Sequence, residues 1–146
     1  MILIKPISNR SEFKTIPSFK VQGYYELSMS YMNAGLKLLE NGLTQSCLVL
    51  GHLSVKAMLN AVYSHLGGLV VFMNKIPFDE LLSFVRDQNI IDLDTELFLS
   101  RICFLTRQPY ISTTQNMGQE HLTSIMSRLE EILSSLSEQI GDTLLN

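Results

Sequence analysis

Charged side chains are scarce in this chain. They make up 17% of its 146 residues, against 46% aliphatic and aromatic ones, and the mean hydropathy is +0.18. So little charge is unusual for an isolated soluble domain, and implies that part of the surface is covered by a partner or a second copy. The formal charge of −3 excludes a strongly basic nucleic-acid binder while leaving room for a local basic patch. Cysteine and histidine are few as well. Two cysteines and three histidines show no zinc-ligand spacing, and Cys47 and Cys103 sit in apolar stretches as expected core thiols. No metal site and no cofactor are implied. The glycine stretches "GLTQSCLVLG" and "LGGLVV" lack the spacing and the lysine of a phosphate loop. No serine stands in a Gly-x-Ser-x-Gly elbow. The longest unbroken apolar run, "LVVFM" at 69–73, is far too short to span a bilayer. The opening "MILIKPISNR" lacks the order of a signal peptide, so a cytoplasmic location without membrane association is expected.

What is present is mostly helical pattern. Residues 1–21 stand apart, with Lys5, Arg10, Lys14 and Lys20 against Glu12, and with Pro6 and Pro17 opposing a helix. This segment reads as an extended N-terminal arm with a short strand at "MILI". The remaining residues, 22–146, read as one all-α, up-and-down bundle of about five helices. In the first, Tyr24, Leu27, Tyr31, Ala34 and Leu38 step by three and four along one face, and Gly42 ends it. Thr44 is the expected N-cap of a second helix that stops at Gly67-Gly68, and the short join makes the two an antiparallel hairpin. The stretch "LVVFMNK" fits helix, strand or loop. Pro77 as first helical residue, with Asp79 and Glu80, starts a third helix. Asp94 is the expected cap of a fourth, which ends before Pro109. Asn116 and Gln119 resemble a capping box for the last helix, whose stripe is Leu122, Ile125, Leu129, Ile132, Leu136, Ile140 and Leu144.

One feature of the second helix stands out. His52, Lys56, Asn60 and Ser64 recur every fourth residue, so one polar stripe runs down an otherwise apolar element. His52 and Lys56 either form a phosphate-binding pair on a concave surface or line a bundle edge, with the lysine stem laid over apolar neighbours. His65 sits near the helix C-terminus, where a protonated imidazole suits the dipole. Arg101 interrupts the apolar face of the fourth helix and fits a phosphate contact or an ion pair with a neighbouring helix. Asp92, Asp94 and Glu96 alternate, but no EF-hand glycine or distal glutamate follows, so they read as helix-start acids.

Three stretches carry a family resemblance. "YMNAGLKLLENG" resembles the second half of an A-x-x-D-L-x-x-A-x-x-L-x-x-G helix. "HLSVKAMLNA", residues 52–61, keeps His52, Leu59 and Ala61 in step with H/Q-Q-A-x-E-K-A-L-K-A. "RQP", Arg107 to Pro109, matches an R-x-P helix end, and a long amphipathic helix closes the chain. Over roughly residues 24–140 the order of elements resembles the HEPN superfamily of nucleotide-binding domains. The departures are specific. Lys56, Ala57 and Asn60 stand where the family has glutamate and two lysines, and "IPFDEL" lacks the histidine that usually opens the third helix. Ribonuclease members use Arg-x(4–6)-His. No arginine here has a histidine at that distance, and after Arg107 the next is His121.

The resemblance implies a HEPN-like, non-catalytic binding module, a homodimer, that binds a nucleotide or RNA or pairs with a nucleotidyltransferase. His52, Lys56, Asn60, Arg101 and Arg107 are the expected ligand contacts, because an anionic ligand needs cationic or hydrogen-bonding groups and few others interrupt the apolar faces. One alternative is a degenerate, metal-independent ribonuclease in which Arg101 or Arg107 holds phosphate and His52 transfers the proton. Another is a structural adaptor whose apolar face docks a partner helix.

Overall fold

A computed structural model describes residues 6–67, 76–107 and 117–141, with side chains of the first helix described from residue 19 onward. Among the described residues there are five α-helices: α1 Pro6–Glu40, α2 Thr44–Gly67, α3 Phe78–Asp87, α4 Leu93–Leu105 and α5 Gln119–Ser137, the last followed by a single 3-10 turn, Glu138–Ile140. Among the described residues all regular structure is helical, as expected for an all-α bundle. "MILI", "LVVFMNK", Asn116 and Leu144 lie outside the described residues.

The expected extended arm at 1–21 is corrected over its described part, because residues 6–21 lie within α1. Pro17 forfeits one internal hydrogen bond, and the helix continues past it. The boundary at residue 21 also dissolves, since Val21 is 0% exposed and belongs to the core.

Gly42 ends α1 in the left-handed region, φ +77°. Leu43 N–H donates to the Leu38 carbonyl at 2.9 Å and Gly42 N–H to that of Leu39 at 3.0 Å, which closes the helix as a Schellman motif. Asn89, φ 61°, ends α3 in the same way, with Ile90 N–H on the Val85 carbonyl and Asn89 N–H on that of Arg86, both at 2.9 Å. The helix starts are shifted from expectation. The Leu43 carbonyl, not Thr44, takes the cap role for α2 by accepting from Cys47 N–H at 3.1 Å. Pro77 is the cap of α3 rather than its first residue. The cap of α4 is Asp92, whose Oδ1 accepts from Thr95 N–H at 2.8 Å. That hydrogen bond holds the Asp92 carboxyl below the usual range. Asp94 instead accepts from Arg128 Nη2 at 2.9 Å. α5 starts after Gly118, and Gln119 is turned away to donate to the Leu39 carbonyl at 3.0 Å.

α1 and α2 form the core hairpin. Ser28 Oγ donates to the Ser54 carbonyl at 2.7 Å and Ser54 Oγ to the Ser28 carbonyl at 2.8 Å. Further along, a Cβ on Gly35 would stand 3.3 Å from the Cys47 carbonyl oxygen. Position 28 thus lies across from 54 and position 35 across from 47, so the helices run antiparallel. The face α1 buries is Val21, Ser28, Met32, Gly35 and Leu39, not the expected Tyr24–Leu38 stripe. Tyr24, Tyr31 and Leu38 are half-buried, Ala34 is exposed and Leu27 is 43% exposed. Serine and glycine let two backbones approach, and the hydrogen-bonded contact they make displaces the larger residues to the flanks.

α5 closes the bundle on its expected stripe, with Leu122, Ile125, Leu129, Ile132, Leu136 and then Ile140 buried. It meets α2 at Gly51, where a Cβ would lie 2.9 Å from Leu129 Cδ1 and 3.0 Å from Met126 Sδ. α2 is long and apolar enough to cross a membrane by length and composition, yet more than half of that span is buried inside the bundle. It passes such a test because its polar stripe is made largely of His52, Asn60 and Ser64, with Lys56 its only permanent charge. A Gly51→Val substitution places methyl groups in this contact and is expected to destabilise the fold by about 1–3 kcal/mol, read as a lower urea midpoint at unchanged slope.

Candidate functional site

The polar stripe of α2 is half-buried at His52, Lys56, Asn60 and Ser64 alike. It follows a seam of the bundle rather than a free edge. The His52 ring packs edge-on against Phe78, with centroids 4.7 Å apart and planes at 61°. Phe78 is the first residue of α3 and is buried. The aromatic contact fixes the imidazole where α2 meets the start of α3.

Two cations act on that imidazole. Lys56 is one turn further along the same helix, and Arg107 follows the Thr106 C-cap of α4. Arg107 Nη2 rests 3.8 Å from Cys103 Sγ, one turn back. Burial first, then the charges of Lys56 and Arg107, push the His52 pKa down to about 4. His52 is therefore neutral at physiological pH and keeps one N–H donor and one lone pair. Among the described residues both charges acting on it are positive, which makes an anion more favourable there than a cation.

The five expected site residues separate here. Lys56, half-buried, and Arg107, exposed, are the two whose charges act on His52. Asn60 directs its amide Nδ2 to the Lys56 carbonyl of its own helix at 3.0 Å, so its donor is already engaged. Arg101 is exposed on α4, makes no ion pair among the described residues, and is not one of the charges acting on His52. Phe78 is the neighbour that the sequence did not reveal. The contact is tertiary, and its sole local signal is Pro77, which fixes where α3 begins.

The remaining titratable groups have structural places. Asp94 holds Arg128, whose guanidinium also covers the Phe98 ring at 4.1 Å. Arg86 Nε stands 2.6 Å from Glu96 Oε1, a charge contact without the alignment of a hydrogen bond. The acidic alternation at 92–96 is thus divided between a cap and two ion pairs. Among the described residues no three His, Cys, Asp or Glu side chains gather as a metal site. Cys47 and Cys103 are free, buried thiols, and burial raises the Cys47 pKa. Burial also lowers that of His65.

His52 gives a direct check. The folded pKa lies below the ordinary 6.5, so between those values the unfolded chain binds more protons. Stability is then complete above the ordinary value and falls as pH drops toward 4, by up to about 3 kcal/mol from this group. An NMR titration is expected to place His52 near 4, to move it up in Arg107→Gln, and to leave it unmoved in Arg101→Gln.

Comparison of the chain with protein-family models, with curated proteins and with solved structures finds no match in any of the three.

Proposed function

We propose that this chain is a non-catalytic helical binding module that takes a phosphate-bearing ligand, a nucleotide or RNA, against His52, Lys56 and Arg107. The observation that supports this reading is a half-buried imidazole on which, among the described residues, the two charges acting are both positive, Lys56 and Arg107. A phosphate oxygen there would accept from a guanidinium, an ammonium and an imidazole N–H, all donors suited to it. The HEPN-like order of elements adds the expectation of nucleotide chemistry, a second copy or a nucleotidyltransferase as partner, and a cytoplasmic setting. The free thiols Cys47 and Cys103 fit such a reducing compartment.

The same cluster gives the degenerate ribonuclease its best case, with Arg107 on the phosphate and neutral His52 as base. Its pKa of about 4 counts against that role. A general acid–base works best with a pKa near the working pH, and a group titrating so low is not in its imidazolium form at neutrality to serve as the acid. Binding without turnover is therefore the preferred reading.

Calorimetry with mononucleotides and a short single-stranded RNA tests it. Lys56→Ala and Arg107→Ala are each expected to weaken binding by roughly tenfold, while Arg101→Ala leaves it unchanged. Two phosphate contacts on a single strand predict a log–log salt slope of about −1.4. An affinity indifferent to Arg107→Ala would remove the site, and RNA cleavage lost in His52→Ala would restore the catalytic reading.

A further inference from the structure

Closing α1 requires a left-handed residue, and Gly42 supplies it at φ +77°. The residue before it is Asn41, and no other asparagine of this chain is followed by glycine. That pairing lets the backbone react with a neighbouring side chain. Attack of the Gly42 nitrogen on Asn41 Cγ closes a five-membered ring, an intramolecular step that needs no second molecule. Glycine has no Cβ to shield that nitrogen, and even an added Cβ on Gly42 would meet nothing within 4 Å. The residue that the turn demands is thus also the one that leaves Asn41 open to attack.

Asn41 and Gly42 are both exposed. An open cleft of about 300 Å³, lined by Gly42, Leu43, Thr44, Gln45 and Ser46, borders the turn on its α2 side, so water reaches it. One contact opposes reaction. Gly42 N–H donates to the Leu39 carbonyl at 3.0 Å, and a nitrogen so engaged does not attack. That bond lies at an exposed helix end, the class of backbone that opens locally without global unfolding. Asn33 and Asn89 are exposed as well but differ on the decisive point. Asn33 lies inside α1 and precedes Ala34, and Asn89 precedes Ile90, whose branched side chain crowds the nitrogen.

We infer that Asn41 is a self-modification site, converted through a cyclic imide with Gly42 to aspartate and isoaspartate. In the opened turn the Gly42 nitrogen loses its proton and bonds to Asn41 Cγ. The Cγ–Nδ2 bond breaks, and ammonia leaves with that proton. Water then adds to one of the two ring carbonyls. Opening on one side gives aspartate and leaves the backbone as it was. Opening on the other gives isoaspartate, in which the main chain runs through the side-chain carbons and is one atom longer. The longer link moves Gly42 and Leu43 out of register with the Leu39 and Leu38 carbonyls, to which they donate at 3.0 and 2.9 Å, and the closure of α1 is lost. The aspartate form places its carboxylate between the end of one helix and the start of the next, where the two dipoles oppose each other. No residue of the anion site takes part.

Peptide mapping by mass spectrometry tests this on the full, folded chain after weeks in mildly alkaline buffer at physiological temperature. The peptide carrying Asn41 should gain the mass difference between an amide and a carboxyl group and separate into two chromatographic forms. Peptides carrying Asn33 and Asn89 should stay unchanged. Asn41→Gln, whose closure requires a larger ring, should abolish the gain over the same period. The aged protein should unfold at a lower urea midpoint the more isoaspartate it holds, whereas Asn41→Asp should keep a midpoint close to that of fresh protein. An Asn41 peptide unchanged in the folded chain overturns the inference, as does an equal gain at Asn33 or Asn89. An isoaspartyl form as stable as fresh protein overturns the loss of the helix closure.

Discussion

The crossing of α1 and α2 is held by two serines, each donating its hydroxyl to the other's backbone carbonyl at 2.7 and 2.8 Å. Both residues are fully buried. A buried hydroxyl without a partner is costly, whereas a satisfied reciprocal pair has one favourable register and spacing. Gly35 next along the same contact, and Gly51 against Met126 and Leu129, maintain close approach where a larger residue would force the helices apart. The position of α2 within the bundle follows from these small residues. So does the position of everything its other face carries.

That other face is where the polar stripe lies. Because α2 is gripped by α1 on one side and α5 on another, its remaining edge meets the start of α3 and the end of α4. His52 is pressed on Phe78 there, and Arg107 arrives from the end of α4. The resulting group combines residues from two helices and the turn beyond one of them. Its chemistry comes from geometry more than from any residue alone: partial burial removes solvent screening, two cations raise the potential, and the histidine responds by remaining neutral. α4 contributes through Arg107, whose charge acts on His52 from just beyond its C-terminus.

Much of this arrangement was legible in the sequence where one residue type signals one backbone need. Gly42 marks the end of α1, the apolar repeat of α5 names its buried face, and the four-residue polar period in α2 identifies His52 and Lys56. The reading failed where small residues do the packing. Ser28 and Gly35 count as gaps in an apolar pattern, so α1 was assigned to a face that is partly exposed. Pro17 argued for a break that the helix passes through. Asp92 and Asp94 are equally plausible caps on spacing, and only the approach of Arg128 to Asp94 separates them. Arg107 and Arg101 were likewise indistinguishable, because their difference lies in what the end of α4 packs against.

The central claim is that an anion is held directly beside His52. The most direct measurement is the His52 imidazole titration by NMR with and without a saturating mononucleotide. A bound phosphate adds negative charge at the ring and favours its protonated form, so the account predicts a pKa raised from about 4 toward the ordinary value. A His52 titration unchanged by saturating ligand would contradict it.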